Sequence, residues 1–138
     1  MMKTFLILPI MIFLHILDDF HLQGVLAKMK QKIYWKKYGP RYSNDYKISL
    51  SIHSLEWTFV ITIPMLIDSW KRCEVGGSKY IWSVVLYFVI LLFNFPIHYA
   101  IDDMKANGHE INLVTDQTLH MLQIVFAWVA WTVMIGWI

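Results

Sequence analysis

Charge is what this chain has least of. Asp, Glu, Lys and Arg make up 16% of its 138 residues, where a soluble domain carries about 25%. The apolar share is 57%, so a soluble globular or disordered chain is excluded. A single cysteine, Cys73, rules out an intramolecular disulfide and a thiolate-rich zinc site and reads as an ordinary loop thiol. A net charge of +2 is too small to draw the chain to nucleic acid. No repeat of roughly 20–50 residues and no low-complexity tract is present. The N-terminal apolar run has no small-x-small cleavage site and continues past Leu17, so it reads as a retained first span rather than a signal peptide.

What the chain has instead is apolar length and aromatic rings. Seven Trp, seven Tyr and eight Phe suit the headgroup level of a membrane. Four apolar runs, at about residues 4–29, 47–67, 80–104 and 113–138, are each long enough to span a bilayer. Short connections between them, Asp68–Lys79 with Gly76-Gly77 among them, predict an all-α fold: an integral membrane, antiparallel four-helix bundle in one transmembrane domain. The first connection, Lys28–Lys47, mixes lysines with Tyr34, Trp35, Tyr38, Tyr42 and Tyr46, as a segment lying among lipid headgroups does. Lys28, Lys30, Lys32, Lys36, Lys37, Arg41, Lys47 and Lys105 fall on one side, against Lys3, Lys71, Arg72 and Lys79 on the other. That bias predicts an inner or plasma membrane protein with both termini outside.

Against this background the polar residues inside the spans stand out, because each is costly in hydrocarbon without a partner. His15, Asp19 and Gln23 recur at i, i+4 and i+8 and form one stripe about 80° wide. Asp18 sits about 60° off that stripe and reads as solvated or interfacial. The second run holds His53 and Glu56. The third repeats the pattern with Asn94, His98 and Asp102, and the fourth with Asp116, Gln117, His120 and Gln123. Given the predicted orientation, Asp19, Gln23, His53, His98, Asp102, Asp116 and His120 lie within roughly 15 Å of the cytoplasmic surface. Four helices thus bring imidazoles and carboxylates to one depth.

Imidazole and carboxylate pairs projecting from several bundle helices are how bundles build metal sites. The expected ligands are His15, Asp19, His53, His98, Asp102, Asp116 and His120, holding one or two divalent transition metals, zinc first, then iron or manganese. Glu56 and Asp116 are the candidate general bases. Gln23, Asn94, Gln117 and Gln123 are expected to orient the ligands by hydrogen bonding.

The patterns His15-x-x-x-Asp19-Phe20-x-Leu22-Gln23, His53, His98-x-x-x-Asp102 and Asp116-Gln117-x-x-His120 resemble the domain of unknown function 3307 family, small membrane proteins of bacteria and their phages. The resemblance spans nearly the whole chain. It implies a four-span fold and marks the same polar positions, but it implies no reaction. The residues point first to a membrane-embedded, metal-dependent hydrolase acting on a lipid or other amphiphile near the cytoplasmic leaflet. An oligomeric proton or metal transporter and a purely structural bundle are the alternatives.

Overall fold

In a computed structural model, which describes residues 4–76 and 81–137, the chain is all-helical, with no strand among the described residues. The elements run α1 (Thr4–Leu17), a π-helical turn (Asp18–Leu22), α2 (Leu26–Met29), α3 (Lys32–Lys36), a 3-10 turn (Pro40–Tyr42), α4 (Tyr46–Gly76), α5 (Ile81–Asp103), a second π-helical turn (Met104–Gly108) and α6 (Leu113–Trp137). Four segments are long and apolar enough to cross a bilayer: Thr4–Leu22, Pro40–Val75, Ile81–Gly108 and Leu113–Gly136.

Two boundaries differ from the sequence reading. The first apolar run is not one helix to residue 29. It widens into the π turn and then breaks at Gly24, whose φ of +49° lies in the left-handed region that glycine enters without strain. α2 is therefore a separate piece. The second span does not stop at Ile67 but continues to Gly76. Two i, i+4 pairs hold the extra turns. Arg72 Nε donates to Asp68 at 2.7 Å, and Trp70 Nε1 donates to Glu74 at 2.6 Å, the spacing at which helix neighbours meet. Cys73 accordingly lies in a helix, not a loop. The predicted Gly76-Gly77 turn and the predicted start of the third span at Tyr80 run into residues 77–80, outside the described ones. At the other boundary, the Asn112 side chain accepts the Thr115 N–H at 2.9 Å and caps α6.

α4 packs on α5, α1 on both α4 and α6, and α5 on α6. Ile7, Met11, Ile61, Met65, Ile124 and Trp131 form the buried apolar centre. Large apolar side chains also cover the outside: Phe13, Leu92, Phe93 and Phe126 are 63–71% exposed. An apolar exterior around an interior that holds His15, His53, His98, Asp102, Asp116 and His120 inverts the soluble arrangement and is consistent with a membrane protein.

Candidate metal centre

The polar residues converge where α1 ends, α5 ends, α6 begins and α4 completes its second turn. Asp102, near the last turn of α5, is the hub. Its carboxylate lies 3.3 Å from His53 Nε2, 3.8 Å from His98 Nε2 and 3.4 Å from His120 Nε2. His53 and His98 bring their Nε2 atoms to 3.4 Å of each other. Two nitrogens bound tetrahedrally at ~2.0 Å to one zinc ion stand at nearly that separation. Two groups have their ligand atoms within 4.8 Å of one another: Asp19, His53 and His98, and His98, Asp102 and His120. His98 belongs to both.

The sequence-predicted ligands divide from here. His15 is buried beside the cluster but belongs to neither group. The Trp57 indole N–H donates to its Nδ1 at 2.8 Å, so Nδ1 must carry the lone pair and Nε2 the proton. Nε2 then donates to Gln117 Oε1 at 3.1 Å. That bond turns the Gln117 amide nitrogen toward Asp19 Oδ2 at 3.0 Å and Asp116 Oδ2 at 3.1 Å. His15 therefore positions an amide that positions two carboxylates. Asp116 lies outside both groups, with its Oδ1 3.4 Å from His120 Nε2. Gln23 stands 2.9 Å from His53 Nε2 and 3.4 Å from Asp19 Oδ1. Asn94 and Gln123 do not reach the cluster's side chains. Gln123 donates to the Asn94 backbone carbonyl at 2.7 Å and Asn94 to the Ile90 carbonyl at 2.8 Å, tying α6 to α5. Glu56 is half-buried within electrostatic reach of Asp18 and belongs to neither ligand group.

Asp18 is a correction. The wheel placed it toward solvent, yet it is 1% exposed, and neither carboxylate oxygen has a hydrogen-bond partner. The wheel assumed an α-helix. The bond from Gln23 N–H to Asp18 C=O at 3.1 Å is an i→i+5 closure, and the extra residue in that turn breaks the 100° register. Asp18 and Asp19 both turn inward.

Four contributors were not foreseen. Trp57 stacks on His98, with ring centroids 3.9 Å apart and planes 15° from parallel, and forms the apolar floor of the cluster. It lies one turn beyond His53 on α4, a spacing that could have flagged it. Lys30 donates to Asp102 at 2.6 Å and Lys105 to Asp116 at 2.5 Å. Asn107 clamps the connection over the site: its amide accepts from Lys32 N–H at 2.6 Å and donates to the Lys30 carbonyl at 3.0 Å. No helical period crosses the break at Gly24, so nothing in the sequence ties Lys30 to the cluster, and the π turn Met104–Gly108 interrupts the α-helical register before Lys105 and Asn107.

The electrostatics are unfinished. Asp19, Asp102 and Asp116 face Lys30 and Lys105, and the buried Asp18 carboxylate lies within electrostatic reach of His53, Asp19 and Lys30, so negative charge is in excess when the imidazoles are neutral. His53 Nε2 also cannot satisfy its neighbours. As an N–H it suits Asp102 but opposes the Gln23 amide nitrogen, and as a lone pair it suits Gln23 but opposes Asp102. A cation among the imidazoles and carboxylates resolves both problems, as does a proton in part. Beside the cluster opens a cavity of about 330 Å³, whose polar wall includes Asp19, Gln23, Lys30, Asp102, Lys105 and Gln117. Comparison with known proteins finds no family model, no curated protein and no solved structure that matches the chain.

Proposed function

We propose that this is a multi-pass membrane protein, its long helices an antiparallel bundle, that holds one divalent transition metal and uses it to hydrolyse an amphiphilic substrate near the cytoplasmic leaflet. The observation that carries the reading is the meeting of His53, His98 and His120 from three helices around one carboxylate, beside an open cavity. A nitrogen has one lone pair, so His98 serves one ion at a time, with Asp102 and His120 or with Asp19 and His53. A single ion fits this better than two. The nitrogen-rich donor set favours zinc. Bound there, the metal would lower the pKa of a water and polarise a carbonyl or phosphoryl oxygen.

This chain's own residues would do the rest. Asp19 lines the cavity and is held by Gln117, so it is placed to take the proton from the attacking water and return it to the leaving oxygen. Asp116 sits behind His120 and fixes it. The Lys/Arg bias supports a cytoplasmic site and outer termini. The motifs around His15, His98 and His120 support membership of the domain of unknown function 3307 family, which stays a proposal. A conducting pathway through one chain is disfavoured by the packed apolar cluster of Ile7, Met11, Ile61, Met65, Ile124 and Trp131 beyond the Trp57 floor. A purely structural bundle is disfavoured by the uncompensated charge.

The test is metal analysis of protein purified in detergent without added metal, followed by turnover of chromogenic lipid esters and phosphodiesters with and without chelator. Near-stoichiometric zinc and chelator-sensitive turnover that Asp19→Asn reduces are the expected results. Metal below about a tenth of an equivalent, after growth in ample zinc, sinks the reading.

A further inference from the structure

Lys30 and Lys105 stand where neither a structural bundle nor a bare metal site needs them. They come from separate segments, one following α2 and the other in the second π turn, and each spends its ammonium group on a carboxylate of the cluster. Both line the same cavity. The Lys30 side chain is 12% exposed and that of Lys105 35%, so each has room to turn outward. Phe20, Ala27, Ala106 and Leu113 make the cavity's apolar sides, and Phe20 and Leu113 are themselves more than half exposed on the outer surface. A ligand seated here would have its charged end against the lysines and its apolar part toward the hydrocarbon.

Charge then selects the ligand. A divalent cation takes over the Asp102 oxygen that Lys30 now holds, and like charge drives the Lys30 ammonium group into the cavity, where Lys105 already stands. The displaced Lys30 ammonium group then shares a half-buried cavity with Lys105 and lacks its carboxylate partner, which calls for an anion there. Lysine is a common phosphate partner, acting as a point charge, and a phosphodiester brings a negative charge to the two ammonium groups. We propose that the cavity is a binding site for the phosphodiester headgroup of an anionic lipid, held by Lys30 and Lys105 beside the metal. In the metal-free protein Lys30 occupies Asp102 instead. This rests on the metal reading above and adds the substrate class. It makes metal and anion mutually supporting ligands, since each removes what opposes the other.

The experiment is zinc titration against a chromophoric chelator, with the full chain in nanodiscs. One set contains phosphatidylcholine alone, a second adds phosphatidylglycerol, and a third is phosphatidylcholine with dimethyl phosphate in solution. We expect zinc to bind the wild-type protein about tenfold more tightly when an anionic phosphodiester is present, a coupling of ordinary size. A response to phosphatidylglycerol identifies a lipid headgroup, and one to dimethyl phosphate alone a soluble diester. In Lys30→Gln/Lys105→Gln the coupling should vanish, while zinc binds at least as tightly as to wild type in phosphatidylcholine, because two competing cations are gone. Lys36→Gln/Lys37→Gln, which removes exposed lysines outside the cavity, controls for attraction of zinc to the membrane surface and should keep the coupling. Equal zinc affinity of the wild-type protein in all three settings overturns the proposal, as does coupling that survives loss of Lys30 and Lys105. Zinc bound without coupling leaves the metal reading intact; no zinc binding in any setting overturns both.

Discussion

Among the described residues, charge is buried in two places and treated in opposite ways. Late in α4, Asp68 and Arg72 sit one turn apart, buried, and joined at 2.7 Å. Both charges come from one helix, so forming that helix forms the pair. At the other site the charges come from the two π turns, α5, α6 and the connection after α2, and they meet only when the helices pack. There Asp18, Asp19, Asp102 and Asp116 stand near two lysines and three imidazoles whose Nδ1 atoms have no hydrogen-bond partner. A pair supplied by a single helix is cheap to specify. A set gathered from several helices and left short of positive charge is costly, and a cost of that kind persists where a ligand or a reaction uses it.

The contrast breaks most visibly at His98. His98→Ala should lower zinc affinity by more than about 100-fold, beyond the range of changes that only orient a ligand. Asp68→Asn should leave zinc binding unchanged. Chelator competition on both variants measures this, and comparable losses would erase the distinction between the two sites.

Stability should show the reverse order. Asp68→Asn strands the buried Arg72 and should cost about 3 kcal/mol in thermal or denaturant unfolding, in the range for one partner lost from a buried pair. A cost near zero would mean that Arg72 finds water or another acceptor.

A smaller effect tests the relay behind the carboxylates. Gln117→Ala removes the amide that bonds His15, Asp19 and Asp116, and should weaken zinc binding by about 10–100-fold, as loss of an orienting hydrogen bond does. Wild-type affinity in that variant would take His15 and Gln117 out of the site.

Smallest is Asp18→Asn. Asp18 is buried with no hydrogen-bond partner for its carboxylate, so removing its charge should raise stability by about 1 kcal/mol at neutral pH, the saving from an uncompensated buried charge. A loss of zinc binding in this variant would instead place Asp18 among the ligand-orienting groups.

Much of the architecture could be read in advance because it depends on local composition. Four apolar runs make four long helices whatever their packing, since hydropathy and helical period act over a few turns of chain. His98 with Asp102, and Asp116 with His120, fall on common faces because α5 and α6 keep the regular helical period from end to end of each pair. Where the period fails, the reading failed with it. The π turn after Leu17 brought Asp18 inward against the wheel, and Gly24 ended a helix that composition alone would have continued.

Amino-acid order by itself determined the number and length of the apolar helices and the supply of imidazole and carboxylate at one depth, because hydropathy and helical period act over a few turns of chain. Only the tertiary structure decided which of those groups meet. It made Asp102 the hub, turned His15 from ligand to support through Trp57 and Gln117, and set Asn94 and Gln123 to join α5 and α6. It also carried Lys30 and Lys105 into the site from segments that share no period with it. Those choices depend on how helices far apart in the chain rotate and pack against one another, and no local pattern encodes that rotation.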